Sequence, residues 1–464
     1  MRMQLAGKRI LVLGLGVSGL SMARWLRRCG AQVRAADSRP TPPGAESLRR
    51  ELPEVPLITG DFHPRLLEGV DWVAISPGLP SDSPLVETAR RHGLGVAGDV
   101  ELFAQALVRE PPAAVLAITG SNGKSTVTEM VGAMARQAGL RTQVAGNIGL
   151  PVLDALAAWQ DRGAARPELW VLELSSFQLE TTGSLASDAA TVLNVSEDHL
   201  DRYAGMAEYA AAKARIFQGC GVQVLNRDDA FSRAMGLPGR RVLTFGGDPP
   251  RGEGAWGLAP GPGGAWLAEG SQLLMPVREL PLVGAHNALN ALAALALCRA
   301  VDLPYAPLLA ALRGFRGLPH RLELVAEIGG VAFYDDSKGT NVGATAAALS
   351  GMTVPVVLIA GGDGKGQDFA PLKTPIATHA RAVVLIGRDR EHLAAALAES
   401  GVPLHRADSL ETAVRQGFRL ARPGDAVVLS PACASFDMFR DYRHRAEVFV
   451  AAVRELQGEQ RHAV

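Results

Sequence analysis

The sequence is poor in cysteine, in lysine and in long apolar runs, and it lacks net charge of either sign. Four cysteines in 464 residues (Cys29, Cys220, Cys298 and Cys433) stand far apart. That spacing excludes a disulfide-dense scaffold and the close pairs of a structural zinc site. No run of 18 or more apolar residues occurs, so no transmembrane helix is expected. Residues 1–8 lead straight into a strand pattern, without the apolar segment or small-residue cleavage site of a signal peptide. These shortages together predict a protein of the reducing cytoplasm. The 47 basic and 47 acidic residues cancel, and no basic block stands out, so nucleic acid is not an expected partner. Lysine is the most informative shortage. Only Lys8, Lys124, Lys213, Lys338, Lys365 and Lys373 occur; the other 41 basic residues are arginine. Biased coding in a GC-rich genome accounts for the skew. A lysine that remains is still enriched for positions needing a compact ammonium or a reactive amine.

What is present is ordinary globular composition, 47% hydrophobic and 20% charged. The length suggests about three domains, and the pattern divides them at 1–104, 105–317 and 318–464. Apolar runs at 9–14, 32–37, 55–59 and 72–76 alternate with helical spacing, as at 18–29, which implies a parallel sheet. Arg109-Glu110-Pro111-Pro112 looks like the linker that ends this unit. The second unit opens with a strand at 114–119 and a helix at 125–138, with further strands at 143–145, 169–174, 190–194, 223–226 and 242–245. A Gly/Pro-rich stretch at 246–275 reads as a small antiparallel sheet or as a disordered insert. A long Ala/Leu-rich helix follows at 286–301. Gly317-Leu318-Pro319 reads as a hinge. Beyond it, strands at 323–328 and 331–335 flank Gly329-Gly330, a hairpin signal. Runs at 356–360, 382–386 and 426–429 complete a third α/β unit.

The polar motifs fall just after these strands, where open α/β sheets place their sites. Gly14-Leu15-Gly16-Val17-Ser18-Gly19 follows a strand and opens a helix, with Asp37 ending the next strand, which is the dinucleotide fingerprint. Thr119-Gly120-Ser121-Asn122-Gly123-Lys124-Ser125-Thr126 is the stronger signal. Gly120 and Gly123 let backbone N–H groups face a polyphosphate, Lys124 offsets charge, and Ser125 or Thr126 suits Mg2+. It departs from the common phosphate-loop spacing, because only Ser121 and Asn122 separate the glycines. Glu173 ends an otherwise apolar strand and suits a Mg2+ ligand or, equally, a buried ion pair. His199 lies among Glu197, Asp198 and Asp201. Lys213 sits on a helix at 206–217, as a functional amine or a surface lysine with a buried stem.

Taken together, these motifs resemble the Mur ligases of peptidoglycan synthesis, and within them the D-glutamate-adding branch. The resemblance runs from Gly14 to Phe439. It is carried by 119–126, Gly146-Asn147-Ile148-Gly149, 173–180, 197–201, 284–290, 318–321, Asp336-Ser337-Lys338, 362–365 and 430–439. It implies an ATP-dependent amide-bond ligase of three α/β domains. The first is Rossmann-like and the last is too; the central one is a phosphate-loop ATPase type with a parallel sheet plus a small antiparallel one. The implied substrates are UDP-N-acetylmuramoyl-L-alanine and D-glutamate, joined by a monomer that uses ATP and Mg2+. Val17 and Ser18 would then meet the diphosphate, Asp37 and Ser38 the uracil, and Ser76 and Gly78 the same nucleotide. Asn147 and His199 would hold the sugar-peptide portion. Lys124, Ser125, Glu173 and His199 would cradle ATP and the metal, with Lys213 as a carbamate ligand. Asn290, Arg321 and Asp336 would grip adenosine and phosphates. Lys338, Thr340, Lys365, Ser435 and Phe436 would bind D-glutamate. The short loop is the form that this family uses. Gly339 departs from the family pattern, where a small non-glycine residue is expected.

Other readings stay open on the residues alone. An NAD(P)-dependent oxidoreductase would use the glycine fingerprint but leaves Lys124 and Glu173 without a task. A nucleotide switch would hydrolyse ATP without any amino acid. A sibling ligase or a folylpolyglutamate-type synthetase would share most of the motifs.

Overall fold

The computed structural model describes residues 4–107, 113–161, 165–282 and 284–462; the linker expected at 109–112 lies outside them. Three sheets succeed one another along the chain. The first has five parallel strands, Arg9–Leu13, Gln32–Asp37, Leu57–Thr59, Trp72–Ile75 and Gly95–Ala97, in the spatial order third, second, first, fourth, fifth. Its central strand is apolar at four successive positions, Ile10 to Leu13, and all four are buried. Burial on both faces is what a helix-covered parallel strand requires.

The second sheet has nine strands. Six of the parallel strands lie in the order Val242–Phe245, Val222–Asn226, Ala189–Val192, Ala114–Thr119, Leu169–Glu173, Thr142–Gly146. The Gly/Pro-rich stretch forms strands Ala255–Gly261, Gly264–Glu269 and Gln272–Pro276. They continue the same sheet from the Val242–Phe245 edge instead of making a separate one, the first of them pairing parallel and the next two antiparallel. The reason is packing. Trp256, Leu267 and Met275 are buried in one apolar cluster with helix Ala285–Ala300, so the added strands share the central core.

The third sheet orders Glu323–Ile328, Val331–Asp335, Ala426–Leu429, Val356–Gly361, Ala380–Ile386 and Leu404–Arg406. Only the first pair is antiparallel, and its turn is Gly329-Gly330 with φ of 57° and 76°. Both values are left-handed, as the favoured two-residue hairpin turn demands.

The apolar cores tell how the units are joined. One cluster runs from the first sheet into the second, with Leu26 and Phe103 in the same body as Leu156 and Trp170. The clusters beneath the third sheet contain no residue before Leu322 among those described. The third unit meets the central one through hydrogen bonds such as Asn341 Nδ2 to Asn122 Oδ1 at 3.0 Å and Lys365 Nζ to Asp198 Oδ1 at 2.9 Å, beyond the expected hinge at Gly317, whose φ is 90°.

Candidate functional site

The loop 119–126 springs from the C-terminal end of strand Ala114–Thr119, between Leu169–Glu173 and Ala189–Val192, in the middle of the central sheet. Helix Lys124–Gln137 starts directly after it, so the loop's N–H groups and the helix N-terminus face one point. Glycine is obligatory at Gly123: φ is 82°, and a Cβ there would lie 2.5 Å from Asn290 Oδ1. The loop is held from the neighbouring strand end. Asn122 N–H donates to Asn194 Oδ1 at 2.8 Å, and Ser121 Oγ donates to Ser196 O at 3.0 Å.

Two cavities open on this loop. The smaller, about 280 Å3, is lined by Asn122, Gly123, Thr126, Asn287, Asn290, Arg321 and Asp336. The larger, about 850 Å3, collects residues of all three units: Val17, Ser18 and Gly78 from the first, Lys124, Ser125, Asn147, His199 and Lys213 from the second, and Arg321 and Lys338 from the third. Four of the six lysines gather at this junction. Lys124 Nζ donates to Gly120 O at 2.8 Å and Ser121 O at 3.0 Å. Lys213 is 1% exposed, which removes the surface-lysine alternative. Its Nζ donates to Gly120 O at 2.9 Å and lies 4.3 Å from the Tyr209 ring centre. Burial, with Lys124 adding to it, drives the Lys213 amine well below the ordinary lysine range. A lowered pKa favours the nucleophilic, deprotonated form of such an amine. Lys338 stands 3.9 Å from the Tyr442 ring centre, and Lys365 donates to Asp198 Oδ1 at 2.9 Å. Lys8 and Lys373 lie elsewhere, Lys8 exposed and Lys373 paired with Glu399.

Glu173 is buried beside the loop. Its Oε1 accepts from Asn147 Nδ2 at 2.7 Å, whereas its buried Oε2 has no hydrogen-bond partner among the described residues. A buried carboxylate oxygen without a donor is costly unless a cation or proton completes it. Ser125, His199 and Lys213 line the larger cavity, and with that oxygen they are the residues that could hold a divalent cation. His199 has a φ of 57° and packs edge-on to Phe177 at 4.7 Å. Burial lowers its pKa to about 4 despite the nearby Asp198, so the ring is neutral near pH 7. A separate triad, His320, Glu323 and Asp335, brings three ligand-type atoms together among the described residues, but His320 Nδ1 already meets Asp335 Oδ2 at 2.7 Å.

The remaining expected residues divide. Asp37 is occupied by its own chain: Oδ2 accepts from Leu15 N–H at 2.7 Å and both oxygens receive the Arg39 guanidinium. Ser38 is exposed, and Ser76 is buried beneath Gly14. Asp336 is buried, with Ser430 Oγ donating to it at 2.7 Å. A Cβ at Gly339 would lie 2.7 Å from the Asp336 carboxylate, which explains the glycine there. Thr340, Lys365, Ser435 and Phe436 are not among the lining of either cavity, and Phe436 is 74% exposed. The aromatic side chain that does line the larger cavity from this end is Tyr442, which sequence reasoning missed. Tyrosine is as scarce as lysine, with five in the chain. Tyr209 and Tyr442 line this cavity and Tyr203 packs beside Tyr209, so the scarcity argument used for lysine carried a usable signal here too. Arg445 was also missed. Fully buried, it donates to Cys433 O at 3.1 Å and Ser337 O at 2.9 Å and ties the two third-unit loops together.

Family models match most of the chain: a Mur ligase MurD-like N-terminal domain at 8–98, a Mur ligase middle domain at 118–298 and a Mur ligase glutamate ligase domain at 320–433. The chain belongs to the Mur ligase family. The UDP-N-acetylmuramoylalanine–D-glutamate ligase of Nitrosospira multiformis is 60% identical over 98% of this chain and 97% of its own. That of Methylobacillus flagellatus is 58% identical over 99% of both. Among solved structures, the UDP-N-acetylmuramate-alanine ligase MurC of Thermotoga maritima superposes with a TM-score of 0.60 at 19% identity, covering 97% of this chain and 99% of that one. That likeness concerns the fold. As a Mur ligase this chain is an ATP-dependent ligase of mixed α/β fold. Among the described residues no helix is long and apolar enough to cross a membrane.

Proposed function

We propose that the chain joins D-glutamate to UDP-N-acetylmuramoyl-L-alanine with ATP and Mg2+, acting in the cytoplasm as a monomer with domains 1–104, 105–317 and 318–464. The observation that carries this reading is the single cavity in which Lys124, His199 and Lys213 face Val17, Ser18 and Gly78 on one side and Arg321 and Lys338 on the other. A ligase needs a nucleotide-linked acid, ATP and an amine to meet at one place, and three units converging on one phosphate loop supply that. The high identity to relatives named for D-glutamate addition supports the choice of amine.

On this reading the first unit receives the UDP portion through Val17, Ser18, Ser76 and Gly78. Asp37 and Ser38 meet the uracil once Arg39 moves aside. Asn147 and His199 hold the sugar-peptide. Gly120, Ser121, Asn122, Gly123, Ser125 and Thr126 receive the ATP phosphates, and Asn290, Arg321 and Asp336 the rest of the nucleotide. Lys338, Thr340, Lys365, Ser435 and Phe436 are the D-glutamate side. The L-alanyl carboxylate attacks the γ-phosphorus of ATP, the phosphoryl group passes to that oxygen and ADP leaves. Lys124 offsets charge on the transferring group. The D-glutamate amine then attacks the acyl carbon, and the tetrahedral adduct expels inorganic phosphate. Bound Mg2+ supplies charge neutralisation at the phosphoryl oxygens. Glu173, Ser125, His199 and Lys213 would hold it, Lys213 as the carbamate that its amine would form by adding to CO2 and releasing a proton. The neutral ring of His199 suits that ligand role better than proton removal from an ammonium.

The test is phosphate release with UDP-N-acetylmuramoyl-L-alanine, ATP and a panel of amino acids. Release is expected with D-glutamate alone of the panel. Turnover with L-lysine or diaminopimelate in its place sinks the substrate assignment.

A further inference from the structure

We infer that Arg202 is a positioning residue for the UDP portion of the substrate, acting through the first-unit loop 76–79; the inference rests on the nucleotide reading of that loop given above.

Arg202 belongs to the central unit, yet its guanidinium is spent on the first. Nη1 donates to Pro77 O at 3.0 Å and Nη2 to Leu79 O at 2.9 Å. Nη2 also donates to Glu180 Oε2 at 2.8 Å, and both side chains of that ion pair are 13% exposed. The guanidinium carbon lies 4.2 Å from the Phe177 ring centre. Glu180 is fixed in turn, because Tyr203 Oη donates to its Oε1 at 2.6 Å. One planar cation therefore bridges two backbone carbonyls of one unit and a carboxylate of another, over an aromatic face. Only arginine has the donor fork for this.

The loop is anchored at its start by Ser76 N–H donating to Leu13 O at 2.9 Å and closed by Leu79 N–H donating to Ser76 O at 3.0 Å, and the Arg202 guanidinium takes up the carbonyls of Pro77 and Leu79. Pro77 lacks an N–H, and Gly78 is the most permissive residue available. Yet this loop sets the shape of the nucleotide cavity. Pro77 and Gly78 line it beside Val17 and Ser18. A Cβ at Gly14 would sit 2.9 Å from Ser76 Cβ and 3.1 Å from Leu79, so the glycine fingerprint rests on the same loop. Displacing Pro77 and Leu79 moves the floor under residues 14–18.

The joint between the two units does not itself depend on Arg202. Gln178 Nε2 donates to Asp99 Oδ2 at 3.0 Å. Glu101 accepts from Gly183 N–H at 2.7 Å and Ser184 N–H at 2.9 Å. The shared apolar core spans the same joint. Removing the guanidinium should therefore loosen the loop and leave the units docked.

The experiment is calorimetric titration of the full chain with UDP and with ATP, together with steady-state kinetics, for wild type, Arg202→Met and Arg202→Lys. Methionine keeps the apolar stem over Phe177 and removes every donor. Arg202→Met is expected to weaken UDP binding ~10-fold or more and to raise KM for the UDP substrate by a similar factor. Its kcat and its KM for ATP should stay within about threefold of wild type. Arg202→Lys should recover part of the loss, since one ammonium cannot serve all three acceptors. Wild-type UDP affinity in Arg202→Met overturns the inference. So does a parallel fall in UDP and ATP affinity, which marks general disruption. A wild-type chain that fails to bind UDP at all overturns the nucleotide reading of the loop instead, and the inference with it.

Discussion

Asp336 offers a prediction that separates electrostatics from packing. Its carboxyl is buried and raised to about 7; burial pushes it up and Asp335 adds to that, against the Ser430 hydroxyl and Arg321. In the unfolded chain an aspartate titrates near ~3.9. Between those two values the folded protein keeps a proton that the unfolded chain has released. Stability therefore falls as pH rises through that window and stays low above it. About three pH units at about 1.4 kcal/mol each cost ~4 kcal/mol at pH 8, of which ~1.5 kcal/mol is already lost at pH 5. Asp336→Asn removes the titration. Its stability relative to wild type should rise by ~3 kcal/mol between pH 5 and pH 8. Any change in the hydrogen bond from Ser430 is the same at both values and cancels. With a urea slope of about 2 kcal/mol/M, the variant's midpoint should move relative to wild type by ~1.5 M between the two pH values. The assay is urea unfolding of the ligand-free protein at both, read on the transition of the third unit. The same displacement at pH 5 and pH 8 would refute the reasoning, because the carboxyl would then carry the same charge in both states.

Three further outcomes are expected. Lys213→Ala should lose ~10²–10³-fold in phosphate release, as for loss of one preorganised charge-stabilising group, and short-chain carboxylic acids should restore part of it; wild-type turnover counts against the carbamate. Lys365→Met leaves the buried Asp198 carboxylate without its cation only while the third unit is docked, a cost of up to ~3 kcal/mol that opening relieves; X-ray scattering should report a larger radius of gyration, and an unchanged profile speaks against the ion pair as a closing contact. Asp37 is held down at about 2, burial opposing and the Arg39 and Leu15 hydrogen bonds prevailing. Its contribution is complete above the unfolded value and lost as pH falls towards about 2. Asp37→Asn should therefore flatten the acid limb of Tm against pH, and an acid limb identical to wild type rules the contribution out.

Much of this arrangement was legible in the chain. The strand Ala114–Thr119 and the Gly329-Gly330 hairpin occur where the pattern puts them, because burial on both faces and left-handed turns leave a mark in residue type. Gly95–Ala97 and Leu404–Arg406 were missed: each has three residues at a sheet edge, too short for any period to show. The antiparallel extension at 255–276 was seen as strands but not as part of the central sheet, since edge pairing is decided by what the strands pack against. Phe436 and Tyr442 make the same point for the site. Both are aromatics near one loop; Phe436 is 74% exposed, while Tyr442 sits under Lys338.

The sequence by itself determined the phosphate loop, the buried strands that carry it and the rarity of lysine, which all six share. These are local properties of residue type and spacing, and they survive without any knowledge of what lies opposite. The tertiary structure alone decided who meets whom. It brings the carbonyl of Gly120 to the amine of Lys213, leaves one oxygen of Glu173 without a donor among the described residues, and lays the guanidinium of Arg202 on carbonyls more than a hundred residues away. Such contacts depend on strand order and on the docking of one unit against another, and neither leaves a period in the chain.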